Sequence, residues 1–192
     1  MESAASIKIA EEFIELFRLH GSNEYAGEKV TQLEHIYQAA VLAGKQGFDE
    51  EVVLAAFLHD IGHICVSAQE NIEMGGFGIK DHEAIGAEFL AEKGFSKKLI
   101  RLVESHVEAK RYLTWKRHGY YDQLSEASKI TLEYQGGKME EAEALAFEHY
   151  PLFHLIIQMR LWDEEAKVEQ QPIGNLEKYR DMIVRHLTKQ NN

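Results

Sequence analysis

Only two prolines, Pro151 and Pro172, interrupt 192 residues, so almost the whole chain is free to run in helices. Apolar residues recur at helical intervals. From Ser6 to His20, Ile7, Ala10, Phe13, Ile14 and Phe17 share one face, and Gly21 follows as a stop. Thr31 with Glu34 forms a capping box that opens a helix through Ala43. Asp49 caps a helix whose apolar run, Val52 to Leu58, leads into His59 and Asp60. Asp81 is expected to cap a helix ending at Gly94, and Ser96 another that continues toward Tyr112. Further helices are predicted over Ser125–Tyr134, Glu140–Glu148, Pro151–Lys167 and Leu176–Lys189. Met74-Gly75-Gly76-Phe77-Gly78 falls in the longest irregular stretch. No segment alternates as a set of strands would, and no repeat or linker divides the chain. The expectation is one all-α domain over residues 1–192.

The formal net charge of -11 removes the basic footprint that nucleic-acid binding requires. A small anionic substrate would need a local pocket of Lys, Arg and metal ions to offset that field. A single cysteine, Cys65, excludes an intramolecular disulfide. Met1 to Ala5 lack the pattern of a signal peptide, and no segment has the length of a membrane span. A cytoplasmic monomer with no nucleic-acid or membrane partner is the simplest expectation.

Ten histidines are the informative excess. In His59-Asp60-Ile61-Gly62-His63, an adjacent imidazole and carboxylate at a helix end can both reach one cation, and the carboxylate can bridge two. Alone, such a pair is more often a core histidine beside a capping aspartate. Here His35 lies in the middle of the preceding helix, His82 opens a later one, and His106 sits within the next. Asp163 falls in an apolar helix, where an unpaired carboxylate is costly to bury. Ligands converging from facing helices are a common way to build a two-metal site in a bundle.

The ordered set His35, His59-Asp60, His82, His106 and Asp163 resembles the dinuclear branch of the HD-domain superfamily. Simple HD phosphohydrolases lack the two additional histidines, which imply the second metal, with Asp60 as the bridge. Tyr25 with Glu28, Gln32-Leu33-Glu34-His35, Met74 to Gly78, Ser105 to Leu113, Leu132-Glu133-Tyr134-Gln135-Gly136-Gly137 and Arg160 to Glu164 resemble the HD-domain diiron oxygenases that cleave organophosphonates. The resemblance covers Tyr25 to Lys167, and its most specific parts are Lys110–Leu113 and Leu132–Gly137, which metal binding does not need. It implies a helical bundle with a mixed-valent Fe(II)/Fe(III) pair in its core, dioxygen as co-substrate, and a 1-hydroxy-2-aminoethylphosphonate-type substrate yielding phosphate and an amino acid such as glycine or an N-methylated analogue. A carbon–phosphorus bond has no good leaving group for plain hydrolysis, which makes a redox metal sensible. The competing readings are a dinuclear phosphohydrolase acting on a phosphate ester or nucleotide with the same six ligands, and a non-catalytic module, which the intact ligand set disfavours.

The remaining polar residues follow from that resemblance. Lys110, one turn beyond His106, shares its face and is expected to hold the phosphonate, whereas a solvated surface lysine is the plainer reading. Arg160, three positions before Asp163, either binds phosphonate or orients the aspartate. His63 donates to a substrate oxygen or plays a supporting structural part, and Ser128 and Gln135 supply neutral hydrogen bonds. In the family a tyrosine placed like Tyr25 holds an iron position until substrate displaces it, and a glutamate like Glu28 meets the substrate amine. Gly75, Gly76 and Gly78 fit either an anion cradle or a tight turn.

Overall fold

The computed structural model describes residues 3–25, 27–65 and 74–190. Among them the chain is helical throughout, and the one extended pairing is an isolated bridge between Glu24 and Thr31. The irregular stretch expected before Met74 falls, over 66–73, outside the described residues.

Helix α1, Ala4–His20, begins where Ser3 accepts the Ser6 amide at 3.0 Å and ends at Gly21. Its buried face, Phe13, Ile14 and Phe17 among it, meets α11, Glu177–Gln190. Helix α2, Gln32–Lys45, opens on the expected capping box: Thr31 accepts from Glu34 N at 3.2 Å, and Glu34 accepts from Thr31 N at 2.7 Å. Helix α3, Glu50–Leu58, is apolar on every side because every side is covered, with Val52 to Leu58 all buried. It is held between α2, α5 (Lys97–Glu104) and α11. Tyr179 of α11 stacks on Phe57 at 4.0 Å. On the other side of α2 lies α10, Phe153–Glu165, whose Trp162 is wholly buried and donates to Gln46 at 3.0 Å.

The remaining elements are a single 3-10 turn at Ile61–His63, then α4 (His82–Glu92), α6 (His106–Lys116), α7 (Tyr120–Gln123), α8 (Glu126–Tyr134) and α9 (Glu141–Glu148). Helix α7 was not foreseen from the sequence, and α10 starts at Phe153 rather than Pro151 and ends before Lys167.

Two expectations need correction. The helix capped by Ser96 does not run on to Tyr112. Ser105 breaks it by donating its hydroxyl to the Arg101 carbonyl at 2.7 Å, and a new helix starts at His106. Serine bonding back onto the preceding turn bends helices in this way. Asp81 precedes α4 but caps nothing with its side chain: it sits in the left-handed region at φ 58. Aspartate tolerates that conformation better than most residues, and the turn it makes aims His82 inward. The glycine-rich run is a tight turn, closed by Met74 N to Gly78 O at 2.9 Å and Phe77 N to Met74 O at 3.0 Å. Gly78, at φ 99, lies flat against the His63 ring, where a Cβ would come within 2.8 Å of Cε1.

Candidate metal centre

Five element ends converge on one buried point. His35 comes from the first turn of α2 rather than its middle, and His59 and Asp60 from the end of α3. His82 opens α4, His106 opens α6, and Asp163 lies in the last turns of α10. All six are buried. The four imidazoles are oriented alike. His59 Nδ1 faces the Ala56 carbonyl at 2.8 Å, His82 Nδ1 that of Ile79 at 3.2 Å, and His106 Nδ1 that of Val103 at 2.7 Å. His35 Nδ1 faces the Ala166 carbonyl at 3.0 Å. A carbonyl only accepts, so each ring donates from Nδ1 and, when neutral, turns a bare Nε2 inward.

Those four nitrogens form two pairs. His35 and His59 bring their Nε2 atoms within 3.0 Å of each other, and so do His82 and His106. Asp60 lies between the pairs: Oδ2 is 3.4 Å from Nε2 of His35 and of His59, and Oδ1 is 3.4 Å from Nε2 of His82 and of His106. Asp163 Oδ1 stands 3.3 Å from His35 Nε2. Asp60 Oδ2 and Asp163 Oδ1 are buried without a hydrogen-bond partner. Lone pairs facing each other at 3.0 Å, beside orphaned carboxylate oxygens, repel unless a proton or a metal cation lies between them. The residues therefore fit metal ions, in two sets. His35, His59, Asp163 and Asp60 Oδ2 form one, and His82, His106 and Asp60 Oδ1 the other.

The electrostatics agree with a cation-seeking cradle. Burial works against charge on His35, but the carboxylates of Asp163 and Asp60, 3.3 and 3.4 Å from Nε2, prevail and raise it to about 9, so the cradle draws positive charge, proton or metal, to this nitrogen. Burial likewise opposes ionisation of Asp60 and Asp163, yet the histidines around Asp60, and Arg160 beside Asp163, hold both carboxyls well below the usual range. His106 is pushed down to about 3, chiefly by burial.

His63 is close enough to Asp60 and His82 to complete a three-residue metal group, but its bonding gives it another part. It stacks on His82 at 4.0 Å, and its Nδ1 accepts the Ile79 amide at 3.2 Å. Burial, then the charge of His82, keep the ring neutral. Its proton therefore sits on Nε2, which makes it a donor.

A pocket opens directly onto the cradle, and the other side chains given a role in the sequence line it: Tyr25, Glu28, His63, Lys110, Ser128, Gln135 and Arg160; of the candidate cradle glycines only Gly78 does. Tyr25 stacks on the His35 ring at 4.0 Å and 13°. Burial, with the charges of Asp60 and Asp163, drives its hydroxyl well above the ordinary tyrosine value. Lys110 is buried and bonds Thr131 Oγ1 at 3.0 Å. Burial, then Arg160, lowers its ammonium to about 7. Arg160 pairs with Asp163 through Nη1 and with Glu164 through Nε at 2.8 Å, while its Nη2 is buried without a partner. Gln135 Oε1 is in the same condition. Three polar lining residues were given no role in the sequence reading: Gln32, Thr131 and Lys167. Gln32 and Thr131 lie three positions from His35 and Ser128 on the same helices, and that helical spacing was the available signal; Lys167 lies beyond the end of α10 and offered none.

Histidines and aspartates gathered from helix ends around a central carboxylate define a helical fold with a candidate metal centre, and the chain belongs to the HD-domain family, whose model matches residues 32–148. Curated relatives narrow the comparison. The chain is 41% identical over 167 residues to a hydroxymethylphosphonate dioxygenase of Gimesia maris, covering 86% of this chain and 81% of that protein. It is 41% identical over 157 residues to a [1-hydroxy-2-(trimethylamino)ethyl]phosphonate dioxygenase (glycine-betaine-forming) of Leisingera caerulea, covering 79% and 76% respectively. An uncharacterized protein of Acanthamoeba polyphaga mimivirus is 41% identical over 179 residues, 93% of this chain and 82% of the other. No helix among the described residues is long and apolar enough to cross a membrane.

Proposed function

We propose that this chain is a diiron oxygenase that cleaves the carbon–phosphorus bond of a 1-hydroxy-2-aminoethylphosphonate-type substrate with dioxygen, giving phosphate and glycine. The observation that carries this reading is the continuity of the paired His/Asp cradle with a pocket whose donors, Lys110 Nζ, His63 Nε2 and the unpartnered Arg160 Nη2, suit a phosphonate. Both phosphonate dioxygenases named above support it.

The atoms balance without further reagents. The carbon–hydrogen and carbon–phosphorus bonds at C1 break, and one oxygen atom ends in each product, the carboxylate and the phosphate. When bound, a mixed-valent iron pair supplies the redox capacity to activate dioxygen and the Lewis acidity to fix the substrate's oxygens.

The protein's own part is positioning. Asp60 ties the two ligand sets together, and the carbonyl-anchored histidines are held ready for metal. Arg160 fixes Asp163 through Nη1 and keeps Nη2 for a phosphonate oxygen, so it fills both roles considered for it. Lys110 neutralises the phosphonate, Ser128 and Gln135 add neutral contacts, and His63 donates from Nε2. Tyr25, stacked over His35, covers the cradle until substrate displaces it, and so shields the metals from unproductive oxygen. Glu28, already paired with Lys167, is the carboxylate within reach of a substrate amine.

The test is phosphate release from racemic 1-hydroxy-2-aminoethylphosphonate by Fe(II)-loaded protein, in parallel with and without oxygen. Oxygen-dependent release with glycine formed in step is expected. Release of phosphate from a phosphate ester without oxygen, and none from the phosphonate, would transfer the site to hydrolysis.

A further inference from the structure

Lys167 emerges just beyond α10 and enters the same pocket from the side of the Tyr25 loop. Its Nζ lies 2.6 Å from Glu28 Oε1, 3.2 Å from Ser128 Oγ and 3.4 Å from Ser125 Oγ, and 5.9 Å from the centre of the Tyr25 ring. Ser125 also donates to Glu28 Oε1, at 2.5 Å. The pair is largely enclosed, with side-chain exposures of 17% for Lys167 and 13% for Glu28, so water screens it less than a surface ion pair. Two carboxylates line the pocket among the described residues. Asp163 is committed to Arg160 and to the metal cradle. Glu28 alone remains for a cationic ligand group, and a lysine already holds it.

We infer that Lys167 is a specificity-determining residue: its ammonium competes with a substrate ammonium for the Glu28 carboxylate. This rests on the reading that the pocket takes phosphonates. A ligand with no cation on its second carbon leaves the pair intact. One with a primary ammonium must share or displace Lys167, and it can do so because it brings hydrogen-bond donors of its own. A trimethylammonium group has no N–H to exchange for the one it would displace, so it is disfavoured further. Lys167 thus sets an order of preference: uncharged chain first, primary amine second, quaternary amine last. Once displaced, Lys167 still has Ser128 within reach, on the wall expected to meet the phosphonate.

The test is equilibrium binding by titration calorimetry to Fe(II)-loaded protein kept free of oxygen, using ethylphosphonate and 2-aminoethylphosphonate, which lack the hydroxyl needed for turnover. In the natural protein ethylphosphonate should bind at least as tightly. Lys167→Met frees Glu28 and should shift the ratio of the two Kd values toward the amine by about 10-fold or more, the equivalent of one charge-assisted hydrogen bond. Lys167→Arg keeps the pair and should keep the natural ratio, whereas a merely structural role for the side chain predicts the natural ratio in Lys167→Met as well. Equal ratios in the natural protein and Lys167→Met overturn the inference. The expected ratios with no oxygen-dependent phosphate release would uphold Lys167 and overturn the oxygenase. A natural protein that binds neither phosphonate overturns both.

Discussion

Gly62, inside the His-Asp-Ile-Gly-His run, shows how little room the centre leaves. Its φ is not in the left-handed region, so what requires glycine here is space. A Cβ at this position would run into the carbonyl oxygen of His82, and would lie 2.7 Å from its carbonyl carbon and 3.0 Å from Gly86 N. Carbon atoms rest comfortably at about 3.5–4.0 Å, so in Gly62→Ala helix α4 must retreat by about 1 Å. That helix begins with His82, whose Nε2 is 3.4 Å from Asp60 Oδ1. Metal–ligand bonds tolerate errors of only about 0.2 Å. The His82/His106 cation should therefore be lost or bound about 100-fold more weakly, and turnover should fall about 100-fold for a displacement of this size. Overpacking costs about 1–3 kcal/mol, or about 2–12 °C in Tm for a chain of this length. Metal analysis of the purified variant, a thermal melt and the phosphate assay measure the three effects. Gly86→Ala is the milder control, since its nearest contacts would be 3.1 Å. A Gly62→Ala protein with natural metal content and natural rate would refute the claim that this backbone approach positions His82.

Three further outcomes follow from the site. Asp60→Asn cannot present an anionic oxygen to both ligand sets, so metal content should fall from about two ions per chain toward one; at 100-fold metal excess over Kd, each lost ion removes about 2.7 kcal/mol of stabilisation, read as a lower Tm. Lys110, at about 7, loses its charge as pH rises through that value, so KM for a fully dianionic phosphonate should climb about tenfold per pH unit above it, while Lys110→Arg, always charged, should flatten that rise. Arg111 grips the turn after Gln135 by donating to Gly137 O at 3.0 Å and forking onto Glu143; Arg111→Lys loses the fork and should raise KM about 10-fold with kcat changed less than KM, and equal losses in both would show that the turn does more than place Gln135.

Local chemistry was readable in the sequence, and long-range geometry was not. Thr31 and Glu34 satisfy each other within one turn, so their capping box was visible in four letters. The six candidate ligands could be singled out because buried histidines and aspartates need a reason to be there. The break at Ser105 could not be foreseen, since serine continues most helices and its bond back to Arg101 is a choice among conformers. Lys167 was passed over because its meaning depends on Glu28, 139 residues away. Asp81 suggested a cap by residue type, whereas the structure uses its tolerance of positive φ.

The anchoring of the four imidazoles also bears on the order in which the centre forms. His59, His82 and His106 each bind the carbonyl three residues back, so those rings can be aligned as soon as their own turns exist. His35 binds Ala166, 131 residues on, and Asp163 belongs to the same late segment. A partly folded chain without α10 in place would offer an arriving ion three aligned rings and Asp60, a site that grips weakly and lets go. Only docking of α10 completes the second grip, so metal retention reports that this late helix has found its seat.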